Sequence, residues 1–168
     1  MSLQELNALD KTQLKELLTK CCGSSQWVEK MSALFPFANE VLLFKKATST
    51  WYACCKDDWL EAFTHHPKIG DIASLKQKFS ATADWAAGEQ ETVNQTSKEI
   101  LEALSEANRL YQEKFGFIFI VCATGKSADD MLQLLTVRLK NKYEDEIKIA
   151  MEEQNKITAI RLEKLLRS

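Results

Sequence analysis

Apolar residues recur at three- and four-residue spacing along most of the chain, the pattern of helices that each bury one face. Leu14, Leu17 and Leu18 predict a helix over 11–20, with Asp10 placed to cap it. After the break at Gly23-Ser24-Ser25, Ser25 can cap a helix through Trp27, Val28, Met31 and Leu34 that stops near Pro36. Another runs from about Ala38 through Val41, Leu42 and Trp51, and a short one holds Trp59, Leu60 and Phe63 before His65-His66-Pro67. Beyond a weakly patterned polar stretch over 68–83, Asp84 can open a helix through Trp85, Glu89 and Val93. A clean stripe of Ile100, Ala103, Leu104, Ala107, Leu110, Tyr111 and Phe115 predicts a helix over 97–115. Lys98, Glu102, Glu106, Arg109 and Glu113 form its solvated face. Ser127 and Asp130 make a variant capping box for a helix to about 140, and a last helix spans 143–166.

One segment breaks the pattern. Residues 117–123, Phe-Ile-Phe-Ile-Val-Cys-Ala, are β-branched and aromatic like a buried strand, yet no second segment exists to pair with them. The expected fold is therefore all-α: a single-domain bundle of about eight helices over 1–168, with this segment as one buried extended connector. Its backbone groups must find partners other than a sheet, which makes it a candidate pocket wall for an amide-like ligand.

Composition narrows the class. The 168 residues are 45% hydrophobic and 27% charged, enough for a real core, and 5 glycines with 2 prolines are too few for a turn-rich sandwich or barrel. With 22 basic and 24 acidic residues the net charge is −2, which argues against a nucleic-acid partner. No run approaches the ~18 apolar residues of a membrane span, and the first ten residues lack a signal-peptide pattern. Five cysteines, two adjacent pairs and Cys122 alone, cannot form a complete disulfide framework. A reducing, cytoplasmic setting is expected. Zinc-type ligand spacings are absent, so no metal is expected.

Three residues stand out chemically. His65 and His66 are the only histidines, and Pro67 biases His66 toward an extended conformation that points the two rings apart. They read either as an exposed turn or as one general acid–base group at a pocket mouth. Glu89 shares a helical face with Trp85 and Val93, so it either snorkels to water or lies against apolar surface where a partner sets its charge. Arg161 sits with Gln154 near the centre of a face formed by Ile147, Ala150, Met151, Ile157, Thr158 and Leu165. A guanidinium there needs an anion, either an internal carboxylate or a bound one. The Gly125-Lys126-Ser127 run lacks the upstream glycine of a P-loop, and Cys122 reads as an inert thiol.

At these residues the sequence resembles a known family. His65-His66-Pro67-Lys68-Ile69-Gly70, Gly88-Glu89-Gln90, the run from Lys114 to Ala123 and the segment from Lys156 to Leu162 resemble, in order, four motifs of 2-oxo-4-hydroxy-4-carboxy-5-ureidoimidazoline (OHCU) decarboxylase. The family often carries Ser where this chain has Ala86. The resemblance implies an all-helical, cofactor-free decarboxylase that forms (S)-allantoin in urate degradation, commonly as a homodimer. It implies His66, Glu89 and Arg161 as active-site residues. Pro67, Ala86, Ala87, Gly88 and Gln90, with Phe119, Ile120, Val121, Cys122 and Ala123, would contact the small-molecule substrate, a ureidoimidazoline carboxylate. Alternatives are a helical lyase or hydrolase acting on another ureido acid, and a non-enzymatic ligand-binding module.

Overall fold

The structure, a computed structural model, describes residues 1–66 and 90–167, and of residues 90–97 the backbone only. Among the described residues there are eight helices: α1 Leu3–Ala8, α2 Lys11–Cys21, α3 Ser25–Ser32, α4 Glu40–Tyr52, α5 Lys56–Thr64, α6 Gln90–Phe115, α7 Ala128–Arg138 and α8 Tyr143–Arg167. No strand occurs among them, which is the predicted class. The segment 118–123 has neither helix nor strand; Phe117 and Ile120 are buried beside and within it, and its other residues are half-buried. None of these helices is long and apolar enough to cross a membrane.

The helices start where side chains can satisfy the first free backbone donors. Asp10 accepts from Thr12 N at 2.9 Å and Gln13 N at 3.0 Å, opening α2 as expected. The cap of α3 is Ser24, accepting from Trp27 N at 3.2 Å, one residue ahead of the Ser25 expected. Asn39 caps α4 through Leu42 N. At α7 the capping box forms, with Ser127 N donating to Asp130 Oδ2 at 2.9 Å and Asp130 N to Ser127 Oγ at 3.2 Å. The pattern of apolar residues missed α1, although Ser2 and Glu5 form a reciprocal capping box there. Gly116, with φ at 74°, ends α6 in the left-handed region open to glycine, and its N–H closes onto Gln112 O.

The chain divides into two compact units. The first comprises Met1–His66, Ile120–Cys122 and Lys148–Ser168. Its core holds Leu6, Leu18, Trp27, Met31, Leu43, Trp51, Phe63 and Leu162, all essentially buried. Both tryptophans spend their one donor on backbone: Trp27 Nε1 on Ala47 O at 3.0 Å and Trp51 Nε1 on Met151 O at 2.8 Å. Trp51 thereby ties α4 to α8.

The second unit comprises Pro67–Phe119 and Ala123–Ile147. Tyr111 centres its aromatic cluster, with ring centroids 4.6 Å from Phe115, 5.2 Å from Phe119 and 5.8 Å from Phe117. Glu146, fully buried, accepts from Arg138 Nη2 at 2.6 Å, Arg138 Nε at 2.7 Å, Asn141 Nδ2 at 2.7 Å and the Tyr111 hydroxyl. The buried stripe of α6 is Leu101, Leu104, Ala107, Tyr111 and Phe115. Ala103 and Leu110 from the predicted stripe are exposed, because packing turned the helix by about one residue toward Leu101. The charged face is solvated as predicted, and Arg109 pairs with Glu106 and Glu113 there.

Candidate active site

His66 follows the C-terminal end of α5, where its N–H bonds to Phe63 O. Its ring is half-buried, and Nε2 lies 2.5 Å from Gln154 Oε1. Gln154 is buried on α8 and donates through Nε2 to Thr158 Oγ1 at 3.2 Å. Thr158 in turn acts on the thiol of Cys22, the residue after α2, and offsets part of the effect of its burial. A line of polar groups thus runs from the α5 terminus through α8 to the α2 terminus, inside otherwise apolar packing. The position of Gln154 on the apolar face of α8 signalled a buried polar group; its partner did not show in the sequence.

Arg161 lies two turns further along α8. Its Nη1 donates to Lys20 O at 3.3 Å and Cys21 O at 3.5 Å, the last carbonyls of α2. Among the described residues no carboxylate lies within ion-pair distance of it. The anion called for by its place on the helix is here the negative pole of α2, a partial charge of roughly one half. Arg161 lines a cavity of about 660 Å³ together with Leu17, Thr19, Lys20, Cys21, His65, Lys164 and Leu165. Among the described residues of this lining three are cationic and none is acidic, which makes the space attractive to an anion. Its volume falls in the ordinary range of small-ligand sites.

His65, given no site role by the sequence, is in this lining. Its ring seats on Gly23, where any Cβ would stand 2.4 Å from His65 Cγ. The backbone approach needs the missing side chain. His66 is not part of the lining, so the structure brings Arg161 together with His65 around the cavity and His66 together with Gln154.

The other predicted contacts divide. Glu89, Pro67, Ala86, Ala87 and Gly88 lie outside the described residues, and Gln90 is described only as the first residue of α6. Phe119 belongs to the second unit, half-buried with Arg138 4.6 Å over its ring, and Ala123 to the same unit. Ile120, Val121 and Cys122 belong to the first unit. The Cys122 N–H donates to Glu153 Oε2 at 2.7 Å, while Glu153 Oε1 accepts from Lys156. At this amide, the partner demanded by a strandless segment is a side chain of α8, and Glu153 had escaped the sequence reading. Three buried thiols of the first unit are poor nucleophiles. Burial pushes Cys21 and Cys54 up to about 11 and Cys22 up to about 12, so all three stay protonated near neutrality.

A family model described as OHCU decarboxylase matches residues 7–163. The chain is similar to the uric acid degradation bifunctional protein TTL of Arabidopsis thaliana, 41% identical over 150 residues, covering 86% of this chain and 45% of that protein. It is similar to 2-oxo-4-hydroxy-4-carboxy-5-ureidoimidazoline decarboxylase of Halalkalicoccus jeotgali, 25% identical over 166 residues, covering 98% of this chain and 92% of that one. Among solved structures it resembles a crystal structure of OHCU decarboxylase in the presence of (S)-allantoin. That match has a TM-score of 0.74 and 37% identity, covering 92% of this chain and 99% of the other. The chain spans less than half the length of the bifunctional relatives it matches.

Proposed function

The chain belongs to the OHCU decarboxylase family, and we propose that it decarboxylates 2-oxo-4-hydroxy-4-carboxy-5-ureidoimidazoline to (S)-allantoin in urate degradation. The observation that carries this reading is the family match over 7–163, joined by the likeness to a decarboxylase solved in the presence of (S)-allantoin. The cationic cavity around Arg161 supports it, because the substrate brings a carboxylate.

The chemistry asks little beyond orientation and proton handling. The carbon that loses CO₂ adjoins a ring C=N bond, which takes up the bonding electrons, so the substrate serves as its own electron sink. Arg161 anchors the carboxylate, His66 moves a proton as acid–base group, and Glu89 charges or orients that ring or accepts from the substrate hydroxyl. Pro67, residues 86–88 and Gln90, and residues 119–123 contact the remainder of the substrate. Residues 1–168 act as one domain. Two copies form a homodimer, a reading supported by the exposed apolar side chains Leu110, Leu134 and Val137 on α6 and α7. Sedimentation at micromolar concentration showing only a 19.1 kDa species would refute the dimer. The five free cysteines support a cytoplasmic location, which imaging of the tagged protein tests.

The deciding experiment follows the ultraviolet absorbance of freshly made urate oxidation product with and without the protein, and reads product handedness by circular dichroism. Accelerated decay to one allantoin enantiomer is expected. A rate and a racemic product unchanged from buffer would overturn the reading. In the same assay His66→Asn should lose ~10²–10⁴ in rate, the usual cost of a missing general acid or base. His65→Ala should cost far less; equal loss from both would reassign the acid–base ring.

A further inference from the structure

Arg138, the last residue of α7, is 6% exposed, and its ion-pair partner Glu146 is fully buried. Replacing such a pair by well-packed apolar side chains is often neutral or stabilising, so stability alone does not account for it. Geometry does. Arg138 donates through Nε at 2.7 Å and Nη2 at 2.6 Å to Oε1 of Glu146, which pins the guanidinium plane. Glu146 is itself fixed: Oε2 accepts from Asn141 Nδ2 at 2.7 Å, and Oε1 also takes the Tyr111 hydroxyl. Two of these partners then meet one ring, that of Phe119. The guanidinium carbon lies 4.6 Å over its centroid, and the Tyr111 ring stands at 74° to it with centroids 5.2 Å apart. Phe119 is only half-buried, so part of its surface stays accessible.

We propose that Arg138, held by Glu146, is a positioning residue for Phe119 and fixes its ring at the head of the segment 119–123 that contacts the substrate. The proposal rests on the reading of Phe119 as a substrate contact and deepens it. A cation over an aromatic face is attracted by the ring's electron density, and more strongly where water is excluded. The planar guanidinium can lie on the ring and bind the carboxylate at once, whereas an ammonium is a point charge and goes to the carboxylate alone. Without the clamp the ring tilts, and a substrate seated against it leaves its productive orientation.

A double-mutant cycle in the decarboxylation assay, with freshly made urate oxidation product as substrate, tests this. Phe119→Leu and Arg138→Lys should each lower kcat/KM by roughly tenfold. Because Arg138 acts through the ring, adding Arg138→Lys to Phe119→Leu should cost less than about twofold more, the ordinary error of additivity. Losses that multiply overturn the proposal. So does a folded Arg138→Lys protein with wild-type kcat/KM beside an impaired Phe119→Leu. Phe119→Leu with full activity would instead overturn the ring as a substrate contact and leave Arg138 nothing to position. Nitrogen-15 spectra of the full-length protein decide the matter where Arg138→Lys does not fold. The Arg138 Nε–H, assigned by elimination with Arg109→Lys, Arg161→Lys and Arg167→Lys, should exchange slowly and shift in Phe119→Leu. A signal that exchanges fast, or that Phe119→Leu leaves in place, overturns the clamp.

Discussion

Arg161 shows how a single charge is settled by what surrounds it. Its guanidinium is half-buried and donates to the two final carbonyls of α2, so it is oriented by a helix end. Those carbonyls offset only part of a full charge. With Lys20 and Lys164 in the same lining, the cavity keeps a positive balance for a ligand carboxylate. Lysine would keep the charge and lose the planar fork. A lost charge-assisted hydrogen bond is worth about 1.5–3 kcal/mol, roughly ten- to a hundredfold in affinity. Arg161→Lys should therefore weaken a carboxylate-bearing substrate analogue by about that factor and allantoin, which lacks the carboxylate, much less. Calorimetry of both ligands reads the difference. Equal weakening would make Arg161 a support of the α2 terminus and nothing more.

Among the helices, the junction of α2 and α3 controls where α5 ends. Gly23 is buried there against the His65 ring, and an added Cβ would approach His65 Cγ, Cβ and Cδ2 at 2.4, 2.5 and 2.7 Å. These distances reach the root of the side chain, so a rotamer change gives no relief and the turn at 65–66 must move. Overpacking of this kind costs about 1–3 kcal/mol. Gly23→Ala should lower the melting temperature by several degrees and reduce turnover, because the displaced turn also carries His66 away from Gln154. A variant that melts and turns over like wild type would show that α5 can shift freely.

For the molecule as a whole, buried thiols set the alkaline limit. Desolvation raises Cys21, Cys22 and Cys54 from 9.0 to about 11, 12 and 11. In the unfolded chain each ionises near the ordinary thiol value, so the folded state holds more protons above that point. The stability from keeping these thiols neutral is complete below pH 9 and is lost as pH climbs through the window to about 11–12. Melting temperatures measured from pH 7 upward should stay level and then fall beyond about 9. Cys22→Ala should start lower, from the lost packing, but descend less steeply. Parallel descents would place the alkaline lability in other groups.

Helix content was legible because its causes are local. Stripe spacing and the caps at Asp10 and Ser127 involve residues within four positions of one another, which any chain of this sequence brings together. The same locality allowed small slips, Ser24 in place of Ser25 and a buried face on α6 turned toward Leu101, because neighbouring positions meet the local rule almost equally. Motifs spread along the chain made the family legible as well. Partnership was not. His66 reaches a residue 88 positions away, Cys122 one 31 positions away, and Arg161 the end of a helix 140 positions earlier. Which distant groups meet depends on how the helices pack, and packing is selected by the summed burial of Trp27, Trp51, Phe63 and their neighbours. The sequence by itself determined the helices and the residue types available for chemistry; the tertiary structure decided that Gln154 holds His66, that α2 holds Arg161, and that Glu153 takes the connector's amide.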